Sequence, residues 1–206
     1  MKLLLASNGQ FLIEEGYNLL GIPKDKIRIG YITTASKDVS STEYIKTHKQ
    51  LMKDNGYSFE EIDIEDKSED DLKKFFSNKN IIHMEGGNTF YLLKAVKKSG
   101  FEKIIKELLN KGVVYVGTSA GSSIAGPTIE FSSHVPKGIP IEELQALNLV
   151  PFLFKAHYTD DKKEQYEEKI KGMKYPVKLF RDGQGVLVED GKYTFVGKGE
   201  EATLNK

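Results

Sequence analysis

The sequence predicts an α/β fold, a mostly parallel sheet flanked by helices with a small antiparallel C-terminal extension. Three observations carry this. Short apolar runs rich in β-formers alternate with stretches of helical periodicity over most of the chain, the pattern of successive βα units. Two of those runs end at glycine turns, Gly86-Gly87-Asn88-Thr89 and Gly117-Thr118-Ser119-Ala120-Gly121, at the ends of strands where parallel sheets collect functional residues. The C-terminal part instead gives short strands close together, two of them joined by the tight turn Glu189-Asp190-Gly191-Lys192 as a hairpin.

Leu3 to Ala6 is a continuous apolar run that stops at Ser7-Asn8-Gly9, a first buried strand and its turn. A helix follows over about Phe11 to Leu20. Pro23 breaks the chain before a second strand, Ile27 to Ile32, with Thr33 to Ser36 as the loop at its end. From Thr42 to Asn55 the positions of Tyr44, Ile45, His48, Leu51 and Met52 have helical spacing, and Asn55-Gly56 stops the helix. His48 on that helix is expected to pack or to face solvent. Phe59 to Ile64 fits an edge-like third strand. Ser68 with Asp70-Asp71 opens a helix whose acidic first turn suits its dipole and whose Leu72, Phe75 and Phe76 share one side.

Asn80 to Glu85 is the fourth strand, running through the first glycine turn into a helix that carries Phe90, Leu92, Leu93 and Val96. A helix over Phe101 to Asn110 precedes the fifth strand, Val113 to Gly117. The stretch from Gly126 to Pro140, punctuated by glycine and proline, reads as a loop over the active site or on its rim. Phe152 to Tyr158 reads as a strand with His157 at its C-terminal end, followed by a charged helix from Asp160 to about Met173. Val177 to Arg181, Val186 to Val188 and Tyr193 to Val196 are the closing strands.

At 206 residues the chain is expected to form one domain, residues 1–206, long enough to bury roughly 70% of the surface its unfolded form exposes. It has no cysteine, which excludes a disulfide framework, a thiolate metal site and a cysteine nucleophile. Thirty basic residues balance thirty acidic ones, so no overall field favours nucleic acid or another polyanion. The apolar run at the start is too short for a signal-peptide core, and no segment reaches the length of a membrane span. The expectation is a soluble cytoplasmic protein, monomer or homodimer. The four histidines are scattered, so no metal is expected.

The chemistry centres on Ser119. A strand-to-helix turn flanked by two glycines puts its middle residue in strained backbone geometry and projects the side chain from the top of the sheet, near the free N–H groups that open the next helix. A serine hydroxyl there is a candidate nucleophile, with Ala120 N–H as an oxyanion donor. His157 is the candidate general base. The paired glycines at residues 86 and 87 leave backbone N–H groups open to a ligand, a second source of oxyanion donors. Set against this, Gly-x-Ser-x-Gly also arises by chance in glycine-rich loops, and Gly-Gly-Asn is a common βα turn.

Taken together, Leu3 to Asn8, Gly86 to Phe90, Gly117 to Gly121 with Ala125 to Ile129, and Ala156-His157-Tyr158 form a set that covers nearly the whole chain in order. It resembles the peptidase E family, the aspartyl dipeptidases related to cyanophycinase. The resemblance implies a flavodoxin-like sheet similar to class I glutamine amidotransferases, and a serine peptidase that cleaves dipeptides or short peptides without metal or cofactor. It implies Ser119 as nucleophile, His157 as base, and Gly87 and Asn88 at the oxyanion and substrate site.

Two departures stand out. The position that holds the triad aspartate in the dipeptidases is His134 here, and a histidine stabilises a neighbouring imidazolium poorly. Asp182, after the Val177 to Arg181 strand, is the preferred acid, with Glu130 behind it. The helix after His157 carries lysines and no arginine, so the family's preference for N-terminal aspartate does not transfer. Two other readings stay open: a catalytically inactive binding module on the same fold, and a hydrolase of another amide such as an isoaspartyl bond.

Overall fold

Along the first strand, β1 (Lys2–Ala6), Leu3 and Leu5 face one apolar cluster while Leu4 and Ala6 face another, so the strand is buried on both sides. The computed structural model, which describes residues 1–204, places it inside a sheet that also contains β2 (Arg28–Ile32), β3 (Ser58–Ile62), β4 (Ile81–Met84) and β5 (Val114–Thr118). These five strands run parallel in the order β3-β2-β4-β5-β1. Helices α1 (Gly9–Glu14) and α2 (Glu43–Asp54) supply the cluster around Leu4 on one face. On the other face α3 (Glu69–Phe76), α4 (Thr89–Lys98) and α5 (Phe101–Asn110) pack around Leu3 and Leu5. A helix of one turn, α6 (Ala120–Ser123), follows β5 directly.

The helix ends are sealed by the residues the sequence offers. Ser68 Oγ accepts from Asp71 N–H at 3.2 Å and Asp71 Oδ2 accepts from Ser68 N–H at 3.1 Å, a reciprocal capping box worth about 1 kcal/mol. Asn88 Oδ1 accepts from Phe90 N–H and Tyr91 N–H at 2.9 and 3.0 Å and so caps α4.

The C-terminal half departs from the simple alternation. The strand expected over Phe152 to Tyr158 shortens to β6 (Leu153–Lys155) and leaves the main sheet. After α7 (Lys163–Lys169), β6 pairs in parallel with β7 (Val177–Leu179). The hairpin β8 (Gln184–Glu189) and β9 (Lys192–Gly197) then returns to the main sheet, where β8 lies antiparallel to β1. Finally β10 (Ala202–Leu204) pairs antiparallel with β7. The closing strands are thus shared between two sheets. Stacking of Phe180 on Phe195 of β9, with ring centroids 6.4 Å apart, and the edge contact of Phe152 with Tyr193 of β9 tie the small sheet to the large one.

Two helices are also shorter than their periodicity predicts. The first stops at Glu14 and continues as a 3₁₀ turn over Gly16–Leu20, where Gly16 packs so close to Leu4 that a Cβ would lie 3.0 Å from Leu4 Cδ2. The charged helix after His157 opens as a 3₁₀ turn over Asp160–Lys162, and α7 ends at Lys169, short of Met173. Its composition offers one buried residue, Tyr166, too little apolar surface to hold a longer helix down.

Beneath the C-terminal ends of β2, β4 and β5 lies a polar layer. His83 is fully buried, with Nδ1 2.7 Å from Tyr17 OH and Nε2 2.9 Å from Thr118 Oγ1. Burial depresses its pKa to about 4, against the attraction of the nearby Glu85 charge. The unfolded chain therefore binds this proton first, and stability is lost as pH falls from about 6.5 towards 4. The expected loss is on the order of 3 kcal/mol. Urea unfolding at pH 7 and pH 4.5 should show it, and His83→Gln should flatten that part of the profile; an unchanged profile would remove His83 as its source.

Candidate active site

The sharp turn predicted at Ser119 is present: φ is 47° and ψ is −100°, a conformation that costs a non-glycine residue about 1–3 kcal/mol. Its neighbours must be glycine for steric reasons. A Cβ on Gly121 would lie 2.0 Å from Met84 O, and one on Gly117 would lie 2.7 Å from the Gly121 carbonyl. Hydrogen bonds fasten what the glycines permit. Ser119 N–H donates to Ala6 O at 3.0 Å, Tyr115 OH donates to Gly121 O at 2.6 Å, and Ser122 Oγ lies 2.8 Å from both Ala6 O and Gly117 O.

Opposite the turn stand residues from the far part of the chain. Ser119 Oγ is 3.1 Å from His157 Nε2, and His157 Nδ1 is 2.7 Å from Asp182 Oδ1. The hydrogen bond from His157 holds the Asp182 carboxyl below the usual carboxylate range despite partial burial, with help from the His157 charge and the Ser7 hydroxyl. An ionised Asp182 accepts a hydrogen bond from His157 Nδ1, which leaves Nε2 facing Ser119 Oγ.

His157 follows β6 but is not held by the main sheet. Its backbone has φ of 55°, and its N–H donates to Ser7 Oγ at 2.9 Å. The same fully buried Ser7 hydroxyl lies 3.0 Å from Asp182 Oδ1 and 3.2 Å from Phe180 O, and Asn8 Oδ1 accepts from Gly183 N–H at 3.2 Å. The turn after β1 thus contacts the segments of His157 and Asp182 together.

A cleft of ≈ 370 Å³ runs past Ser119 and His157, walled by Gly86, Gly87, Tyr44 and His48, with Val39 and His134 also lining it. Gly87 has φ of 138°, and a Cβ there would lie 2.3 Å from Ala35 O, so only glycine fits. Neither Gly87 N–H nor Ala120 N–H has an acceptor among the described residues. Gly87 lines the cleft, and Ala120 follows Ser119 directly at the start of α6.

Other sequence-predicted residues lie elsewhere. Asn88 does not line the cleft: its carbonyl caps α4 and its amide donates to Asp38 Oδ2 at 2.7 Å. His134 reaches the cleft wall, but the acid bonded to His157 is Asp182. Glu130 lies on the side of a separate pocket with Lys169. Among the described residues no group of three or more His, Cys, Asp or Glu side chains could hold a metal ion, and no described helix is long and apolar enough to cross a membrane. The sequence reading assigned no role to Ser7, Tyr44 or Glu85. His48 does pack, with its ring against Gly9, yet its Nδ1 also lies 2.9 Å from Glu85 Oε2.

Residues 3–200 match the family model described as Peptidase family S51. The chain belongs to that family. It is 31% identical over 174 residues to the uncharacterized peptidase Lmo0363 of Listeria monocytogenes, covering 78% of this chain and 85% of the relative. It is 33% identical over 167 residues to peptidase E of a Nostoc species, covering 77% of this chain and 66% of that relative. A crystal structure of a Listeria monocytogenes protein titled as a candidate peptidase E superposes with a TM-score of 0.82 over 96% of this chain and 98% of the other, at 24% identity, which shows the fold. The chain is a serine-type peptidase of family S51.

In this S51 peptidase the two positions competing for the acid role can be separated. Asp182→Asn keeps the shape of the site but reverses the hydrogen-bond preference of His157, and turnover should fall about ten-thousandfold. His134→Ala should leave turnover within a few-fold, since no hydrogen bond joins it to His157 among the described residues. Steady-state kinetics of the two variants decide the matter, and the reverse order would assign the acid role to position 134.

Proposed function

We propose that this S51 peptidase hydrolyses dipeptides or other short peptides through an acyl-enzyme intermediate. The observation that carries the reading is the continuous hydrogen-bonded line Ser119, His157, Asp182 beside two unpaired N–H groups. In the proposed reaction His157 Nε2 takes the proton of Ser119 Oγ as that oxygen attacks the peptide carbonyl. Negative charge builds on the carbonyl oxygen, where Gly87 N–H and Ala120 N–H receive it; one such donor is worth about 3 kcal/mol in the transition state. The C–N bond then breaks, the leaving amine takes the proton from His157, and water repeats the sequence on the acyl-serine.

A small substrate suits the dimensions. The cleft of ≈ 370 Å³ lies near the lower end of the range of about 300–1,000 Å³ for small-ligand sites. The nearby arginine, Arg181, is paired with Asp160 Oδ1 at 2.6 Å and stands over the Tyr158 ring, so it offers no free clamp for an acidic side chain.

A fluorophosphonate probe tests the reading. Stoichiometric labelling of Ser119 that disappears in Ser119→Ala and in His157→Ala is the expected result, together with cleavage of members of a short-peptide library by the unmodified chain. Ser119→Ala should abolish hydrolysis with an unchanged melting temperature, since alanine meets the same backbone strain. A folded chain that takes up no probe and cleaves no peptide would favour the binding-module reading.

A further inference from the structure

Three donors converge on one carboxylate beneath the cleft, and the serine chemistry above does not use it. Glu85 ends the β4 segment and its side chain is fully buried. Oε1 accepts from Gly86 N–H at 2.6 Å; Oε2 lies 2.5 Å from Tyr31 OH and 2.9 Å from His48 Nδ1. Burial pushes the Glu85 carboxyl up, but the His48 hydrogen bond, the charges of His83 and His48 and the Tyr31 hydrogen bond outweigh it and hold the group well below the usual carboxylate range. Burial and the Glu85 charge push Tyr31 far up, so its hydroxyl keeps its proton and donates.

The next peptide unit is gripped from the other side. Gly86 O accepts from Tyr44 OH at 3.0 Å. That carbonyl and the Gly87 N–H belong to one planar trans peptide, so fixing the direction of one fixes the other to point the opposite way. Gly87 itself is pressed against the Ala35 carbonyl, and Asn88 N–H donates to Ala35 O at 2.9 Å. On the other side, a Cβ on Gly86 would lie 3.3 Å from Ser119 Cβ. The turn is therefore held at three successive residues, next to the nucleophile.

We propose that Glu85 and Tyr44 are positioning residues of the oxyanion hole: Glu85 grips the Gly86 N–H, Tyr44 grips the Gly86 carbonyl, and together they aim the Gly87 N–H at the reacting carbonyl oxygen. The proposal rests on the serine-peptidase reading above. Electrostatics sharpens it, because a buried anion close to a developing oxyanion opposes the reaction. Its contribution must then lie in geometry, where Tyr31 and His48 hold the carboxylate and the carboxylate holds the Gly86 N–H of a glycine pair that is otherwise free to turn. His48 completes the anchor. Its ring sits where any side chain on Gly9 would be, 2.3 Å from that Cβ position, so the turn after β1 and the turn after β4 hold the ring between them.

The test compares Glu85→Gln and Tyr44→Phe with the unmodified chain, with kcat expressed per Ser119 titrated to completion by fluorophosphonate. Glu85→Gln should lower kcat about a hundredfold and Tyr44→Phe about tenfold, each with KM within threefold, since the donor they aim acts on the transition state. A loss of folded protein would lower the titre of Ser119 and leave kcat per site unchanged. Tyr44→Phe deletes one hydroxyl, so it tests the proposal if Glu85→Gln does not fold. The amide proton of Gly86 provides a readout independent of hydrolysis: it should resonate far downfield in the unmodified chain and move upfield in Glu85→Gln. Absent hydrolysis and labelling in the unmodified chain would remove the peptidase reading, whereas wild-type kcat per site in both variants, or an ordinary Gly86 amide shift, would overturn the positioning role.

Discussion

The site depends on one close approach. The turn after β5 packs against the end of β4 so tightly that a Cβ on Gly121 would sit 2.0 Å from Met84 O. Nothing larger than hydrogen fits there. That contact accompanies the tight turn in which Ser119 has φ of 47°, and the turn places Ser119 beside Gly86. The strain is sustained by rigid surroundings: β4 and β5 are fully buried central strands, and the Tyr115, Ser122 and Ser119 hydrogen bonds tie the turn to β5 and β1.

The remaining parts of the site come from outside the parallel core. His157 and Asp182 lie on the segments that follow β6 and β7, which belong to the small sheet. Two sheets with separate pairing must therefore be brought into register to better than the length of a hydrogen bond. Stacking of Phe180 on Phe195 of β9 and the edge contact of Phe152 with Tyr193 of β9 set the coarse distance between them, and the contacts of Ser7 Oγ with Phe180 O and with the His157 N–H set the fine one.

How much of this the sequence carried depends on the range of the interactions involved. Four of the five parallel strands were legible because each is a local apolar run bounded by its own turn, β3 with its exposed Glu60 and Glu61 only as an edge, and the Ser119 elbow because its glycines sit close to the residue they serve. Asp182 stood out as a carboxylate at a strand end. The departure of β6 from the main sheet was not legible, since the same apolar run fits either sheet and only its partner, β7, distinguishes them. Asn88 shows another limit. An asparagine after two glycines reads equally as a substrate ligand or a helix cap, and the two N–H groups of α4 decide for the cap. Ser7, Tyr44 and Glu85 left no signal because their partners lie far away in sequence: 150 residues in the case of Ser7 and His157.

Ser7 also explains how an open site stays ordered. The His157 and Asp182 side chains are 54% and 58% exposed, and an ion pair that open contributes only about 0–1 kcal/mol and holds its geometry loosely. Orientation must come from something less exposed. Ser7 is fully buried, its own N–H is bonded to Gln184 O at 2.9 Å, and its oxygen contacts both the His157 backbone and the Asp182 carboxylate. The alignment of His157 and Asp182 is thus a property of the buried end of β1, while their side chains stay open to the cleft side. Glu85 stands in the same relation to the Gly86-Gly87 turn after β4. In both halves of the site a buried polar side chain in the floor positions the groups above it that face the cleft.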